Sequence, residues 1–167
     1  KSQKDSDKFN SLYWVKDVGE ELIIPPQVEI IKRTSLSFKK KLKIIKFPDN
    51  SKLKKIEGES FIQSSIKKMV LPASLEEIVD FCFKEVYDLV DIEISPKNKR
   101  FKVIDNKFLL KKSNPKVNIF DSLVFSSRDI ASNHADQGIF RVKISPKYPK
   151  LLILLVIYKR IALKIKK

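Results

Sequence analysis

Along Ile66-Lys67-Lys68-Met69-Val70-Leu71-Pro72-Ala73-Ser74-Leu75-Glu76-Glu77-Ile78 the apolar residues keep a fixed order: apolar, two spacers, apolar, spacer, apolar, proline. Upstream the order returns as Leu42, Ile45, Phe47, Pro48, and downstream as Leu89, Ile92, Ile94, with Pro96 one residue late. A fainter copy is Leu22, Ile24, Pro25. The prolines fall at 25, 48, 72 and 96, in steps of 23, 24 and 24. After each of the first three comes an apolar pair three apart, Val28/Ile31, Leu53/Ile56 and Leu75/Ile78, and five residues later Leu36, Phe61 and Phe83. A period of this length marks a solenoid, because one unit cannot bury its apolar face alone and must stack on its neighbours.

Within a unit the apolar alternation predicts a short strand that proline stops, since proline cannot donate to a ladder. The strands are Leu22-Ile23-Ile24, Ile45-Lys46-Phe47, Met69-Val70-Leu71 and Ile92-Glu93-Ile94. Each return to the next strand is irregular or helical. Ser60-Phe61-Ile62-Gln63 and Ser74-Leu75-Glu76-Glu77 both fit a capping box, and Leu75, Ile78, Cys82 and Val86 follow at helical spacing, so the third return is the strongest predicted helix. Alternate strand residues face opposite ways. Glu21 and Ile23, Ile44 and Lys46, Lys68 and Val70, Asp91 and Glu93 therefore form an outward stripe on the concave side of the solenoid. Such a stripe is either a partner surface or a plain solvated sheet face.

At these positions the sequence resembles the BspA-like class of leucine-rich repeats, whose units read roughly L-x-x-I-x-(I/L)-P-x-s-(L/V)-x-x-I-x-x-x-x-F. The resemblance is clear over about 19–96 and fainter to about 130. It implies an α/β leucine-rich-repeat solenoid with short parallel strands on the concave side, short helical or irregular returns, and a hairpin insert. It also implies adhesion or surface-antigen roles in bacteria and protozoa, and hence a cell-surface location.

Three regions lie outside the regular units. Residues 1–17 are polar up to Leu12-Tyr13-Trp14-Val15, which reads as a leader or an N-terminal cap. The solenoid is expected over 18–130, interrupted at 97–116 by Phe101-Lys102-Val103-Ile104 and Phe108-Leu109-Leu110 around Asp105-Asn106-Lys107, a hairpin pattern. Similar N-x-x-F-x-x-I-D-x-x-x-L-L inserts occur in the class the chain resembles. Residues 131–167 read as a degenerate repeat or C-terminal tail. Val142-Lys143-Ile144-Ser145-Pro146 there echoes Ile92–Pro96, and Leu151–Lys167 fits a buried strand, a basic amphipathic helix or an unclosed cap. The chain opens on Lys1 rather than Met, which is expected of a fragment, and no N-terminal signal peptide or membrane-spanning run is present in it.

Charge then narrows the partner. The net charge is +15, which invites a nucleic-acid reading. Yet residues 18–96 hold 13 basic and 13 acidic side chains, while 97–116 hold eight basic against one acidic and 139–167 nine basic and none acidic. The stripe mixes signs with exposed apolar residues and carries no stacking aromatics, which disfavours nucleic acid and fits another protein. Ile44, Lys46, Lys68, Val70, Asp91 and Glu93 are the expected protein-binding residues. The alternative is a polyanion, an acidic glycan or membrane surface or a nucleic acid, held by the basic insert and tail.

Little catalytic chemistry is on offer. The chain has one histidine, one cysteine and three glycines, so no glycine-rich phosphate loop, paired-cysteine metal cage or nucleophile–base set can be assembled. His134 and Asp136 read as a surface pair, and Cys82 between Phe81 and Phe83 as an inert buried thiol. No catalytic residue, metal, cofactor or small-molecule substrate is expected.

Overall fold

The computed structural model describes residues 10–127. His134, Asp136, the echo at Val142 and the Leu151–Lys167 segment lie outside the described residues. Eleven strands follow in chain order: β1 (Ser11–Leu12), β2 (Glu21–Ile23), β3 (Ile30–Ile31), β4 (Ile44–Lys46), β5 (Lys55–Ile56), β6 (Lys68–Leu71), β7 (Glu77–Ile78), β8 (Asp91–Ile94), β9 (Phe101–Ile104), β10 (Phe108–Lys111) and β11 (Ser122–Ser126).

The predicted strands are rungs of one parallel ladder, β2-β4-β6-β8. Its register sets Leu22 beside Ile45, Ile45 beside Met69, and Met69 beside Ile92. Proline ends each rung as expected, and its carbonyl closes the turn. The Val28 amide donates to Pro25 at 3.1 Å, Ser51 to Pro48 at 2.9 Å and Leu75 to Pro72 at 3.4 Å. After the fourth rung Ser95 takes this role, accepting from Asn98 at 2.9 Å, which accommodates the late Pro96.

The returns depart from expectation. No helix occurs among the described residues. The segment expected to start the third helix instead holds β7, a rung of a second parallel ladder, β1-β3-β5-β7, in register Leu12–Ile31–Ile56–Ile78. The two serines of the capping boxes act as donors rather than as helix caps. Ser74 Oγ donates to the Leu53 carbonyl at 2.8 Å, and Ser60 Oγ to the carbonyls of Glu57 and Lys32. Both serines thus reach a carbonyl of the preceding coil.

After the second ladder each coil turns through two left-handed residues four apart, Thr34/Phe38, Glu59/Gln63 and Phe81/Glu85. A residue at positive φ cannot continue a right-handed helix, and it costs about 1–2 kcal/mol outside glycine. The cost is offset by coil-to-coil hydrogen bonds on this third side. The amides of Leu36 and Phe38 reach the carbonyls of Ser60 and Ile62 at 3.0 and 2.9 Å, and Phe61 reaches Cys82 at 3.1 Å.

The core is a set of columns running through the coils. Val28, Ile31, Leu36 and Leu42 of one coil lie under Leu53, Ile56, Phe61 and Ile66 of the next, all buried. Cys82 is buried as well, and burial pushes its thiol pKa up. Phe61 stacks on Phe83 with ring centroids 5.6 Å apart, and Phe83 meets Phe125 at 5.1 Å.

Phe125 belongs to a third sheet, the antiparallel β11-β10-β9. Among the described residues no parallel rung follows it. The β9–β10 turn lies against the ladder's last edge: the Ile92 amide donates to the Asn106 carbonyl at 3.0 Å, where a fifth rung would otherwise accept it. Asp105 and Asn106 hold φ of 53° and 51°, a conformation their short polar side chains tolerate. Asn98 pins the other end. Its Nδ2 donates to the carbonyls of Pro72, Ala73 and Leu75 at 3.0, 3.2 and 2.9 Å, and its Oδ1 accepts from Arg100 and Phe101, both at 2.8 Å.

Two substitutions test this architecture by denaturant unfolding. At Gly58 an added Cβ would meet the Asp80 carbonyl at 2.9 Å, so Gly58→Ala is expected to destabilise although the residue lies in a turn. Thr34→Gly, which relieves a β-branched residue at φ 57°, is expected to leave stability unchanged or raise it by up to about 1 kcal/mol.

Candidate functional site

The ladder brings all six expected protein-binding residues to one face of β4, β6 and β8. Ile44, Lys68 and Asp91 are consecutive partners across one row, and Val70 lies beside Glu93 in the next, with Lys46 opposite Ile23 of β2. The charges on this face are engaged with one another. Lys46 pairs with Glu21 at 2.7 Å, and Lys68 pairs with Asp91 at 2.8 Å and Glu93 at 2.7 Å. Hydrogen bonds that the Lys68 ammonium donates to Asp91 and Glu93 push its pKa up. Ile23 is 60% exposed, whereas Ile44 and Val70 are half-buried. Ile44 and Val70 therefore lie on the central rungs between two internally paired charge groups, with Ile23 on the edge rung beside Lys46.

The same device recurs around the coils. Lys32 pairs with Glu57 at 3.1 Å, Arg33 with Glu59 at 2.7 Å, Lys54 with Glu29 at 2.9 Å and Lys55 with Glu77 at 3.1 Å. Each pair joins one coil to the next. Opposite charges recurring about one period apart are a signal present in the sequence, and they explain why 18–96 balances its charges. Exposed pairs of this kind contribute little singly, about 0–1 kcal/mol. Glu57 is the best held of them. Burial pushes its carboxyl up, but the Arg33 amide and the Lys32 ammonium outweigh that and leave it below the usual carboxylate range.

A shallow groove of about 400 Å³ lies elsewhere, lined by residues including Arg33, Lys55, Glu59, Asp80 and Phe81. Phe81 is 73% exposed there. The groove holds no histidine, cysteine or serine, and none of the six stripe residues lines it. Among the described residues no group of three or more His, Cys, Asp or Glu could hold a metal ion, and no helix is long and apolar enough to cross a membrane.

At the N-terminal end Tyr13 and Trp14 are exposed rather than packed into the core, but cations of the first coil lie over them. Lys39 Nζ is 4.1 Å from the Trp14 ring centroid and Lys32 Nζ 5.9 Å from that of Tyr13. Sequence reasoning missed Asn98, whose five hydrogen bonds end the regular coils. Its only signal is a polar residue in a turn.

Stacked coils of 23 to 24 residues with parallel rungs and a proline after each rung define a leucine-rich-repeat solenoid. The chain belongs to the family described as BspA type leucine rich repeat region, which matches residues 11–133 in six copies. No curated protein matches the sequence. Among solved structures the chain is similar to the pneumococcal vaccine antigen PcpA, at 31% identity and a TM-score of 0.53, over 56% of this chain and 23% of that one. It is also similar to a leucine rich cell surface protein from Faecalibacterium prausnitzii A2-165, at 24% identity and a TM-score of 0.49, over 56% of this chain and 24% of that one. The chain thus spans about a quarter of the length of either structure.

The depressed Glu57 carboxyl makes a prediction with a definite sign. A group whose folded pKa lies below its unfolded one stabilises at higher pH, and the contribution fades as pH falls from the unfolded value through the folded one. Melting temperature should therefore fall as pH drops below about 4.5, and Glu57→Gln should flatten that fall while lowering stability at neutral pH. Identical slopes for the two proteins would remove Glu57 from the account.

Proposed function

We propose that this chain is a non-catalytic leucine-rich-repeat module that binds another protein through the concave β2-β4-β6-β8 face. The observation that carries this reading is the composition of that face. Ile44 and Val70 stand outward on its central rungs, between the Glu21–Lys46 pair and the Lys68–Asp91–Glu93 group, and exposed Ile23 stands outward on the edge rung beside Lys46. An apolar centre with a polar, hydrogen-bonded rim is the usual anatomy of a protein interface.

The mechanism is complementarity on a surface that is already ordered. The inner rungs β4 and β6 are held on both edges by backbone hydrogen bonds, and Lys68 is held by two carboxylates, so binding immobilises few side chains further. Such pairs set orientation and exclude wrong partners more than they add affinity. Location at a cell surface accords with the family and with the likeness to a vaccine antigen, and it makes extracellular proteins the partners to test.

Charge reversal at Lys46 and Lys68 is a poor probe, because it would break all three ion pairs of the face and change stability together with recognition. The double variant Ile23→Ser/Val70→Ser removes the apolar side chains and brings no new charge beside those pairs. In biosensor measurements against a panel of purified extracellular proteins, it should lose binding to any protein the parent captures by at least about a hundredfold, the loss of two apolar anchors. Its melting temperature should stay close to the parent's, since surface changes usually stay within about 0.5 kcal/mol. Unchanged binding to a captured partner would exclude this face.

A further inference from the structure

The third sheet differs from the coils in one respect. In the coils basic and acidic side chains balance, and Lys32, Arg33, Lys46, Lys54, Lys55 and Lys68 each face a carboxylate on a neighbouring coil, whereas at one end of β9–β10 cations outnumber carboxylates. The ladder places Lys111 beside Phe101, and the Lys112 amide donates to the Arg100 carbonyl at 3.2 Å. Segments 97–100 and 111–121 therefore emerge together, at the end away from the 105–107 turn. They carry Lys97, Lys99, Arg100, Lys111, Lys112 and Lys116 against a single carboxylate, Asp121. Asp121 accepts from the Ser113 amide at 3.0 Å and from Ser113 Oγ at 2.7 Å. None of the ion pairs among the described residues includes any of these six cations. Lys112 instead lies over the Phe120 ring, 5.0 Å from its centroid.

Uncompensated like charges held on adjacent strands repel one another and favour an external anion. The loop between β10 and β11 narrows the choice of anion. Residues 113–119 are exposed, and two of them are apolar, Val117 at 41% and Ile119 at 52%. A sulfated glycan or a nucleic acid backbone would use the cations and leave both apolar side chains in water. An acidic bilayer uses both: headgroups meet the lysines, and Val117 and Ile119 enter the interface between headgroups and acyl chains.

We propose that this end of the third sheet is a docking surface for an anionic lipid bilayer, separate from the β2-β4-β6-β8 face. Several surface lysines near such a membrane together give reversible, salt-sensitive adsorption.

The test is sedimentation of the full chain with phosphatidylserine–phosphatidylcholine vesicles, with pure phosphatidylcholine vesicles, heparin and single-stranded DNA as parallel probes. The parent should sediment with the acidic vesicles only, and less as salt rises. Lys99→Gln/Lys111→Gln/Lys116→Gln should reduce partitioning at least about tenfold, and Val117→Ser/Ile119→Ser should reduce it at unchanged net charge. Circular dichroism melting should show all three proteins folded, since every position changed lies at a strand end, in the exposed turn before β9 or in the exposed loop. Binding to heparin or DNA without vesicle binding would overturn the proposal, and so would vesicle binding that the serine variant leaves intact. Vesicle binding that survives the glutamine variant would place the membrane-active residues elsewhere and overturn it as well. None of these outcomes depends on Ile23 or Val70, so failure here leaves the protein-binding reading standing.

Discussion

Stacking is the constraint on which everything else rests. A coil of about two dozen residues contributes five to seven apolar side chains, too few to bury themselves. They become a core only when the next coil lays its own set on top, as Ile45, Met69 and Ile92 do in one column and Ile31, Ile56 and Ile78 in another. Each coil is therefore stabilised almost wholly by its neighbours, and the stack extends by nearest-neighbour terms. Polar groups obey the same rule. Ser60 and Ser74 donate to carbonyls one coil back, and the ion pairs join residues one coil apart.

Stacking also creates the problem of ending. An exposed rung presents unpaired backbone groups and an open apolar end, which invites edge-to-edge association. Here the chain turns antiparallel after β8. The β9–β10 turn accepts the Ile92 amide, Phe125 is set against Phe83, and Asn98 takes up three carbonyls of the third coil. That change of topology also separates the molecule electrostatically. Coils stitched by opposite charges are neutral, and the excess of cations among the described residues falls on the sheet beyond them.

Much of this is legible in the order of residues alone. Proline after each of the first three rungs, with apolar residues one and three positions before it, and one residue late after the fourth, locates the main ladder to within a residue, and alternation identifies the outward residues on β4, β6 and β8. The second ladder is not legible. Its rungs are two residues long, too short to show a period, and Leu75, Ile78, Cys82 and Val86 satisfy helical spacing equally well. Two facts decide against the helix. The left-handed residues Phe81 and Glu85 interrupt any helical path, and the amides of Glu76, Glu77 and Val79 find carbonyls in the adjacent coil instead of in their own. Serine is ambiguous for a related reason, since a hydroxyl can accept from a helix amide or donate to a carbonyl.

The sequence by itself determined what repeats: the period, the apolar positions, the rungs and the side of each rung that faces out. These follow from local alternation and from proline's missing donor, which need no knowledge of neighbours. Tertiary structure alone decided what each coil does to the next. It chose a second ladder over a helix, matched Lys68 to Asp91 and Glu93, set Asn106 against the last rung and left Lys99, Lys111 and Lys116 outside the ion pairs that stitch the coils. Such pairings join residues about a full coil apart in the chain, or depend on where the stack stops, and neither is written in any one unit.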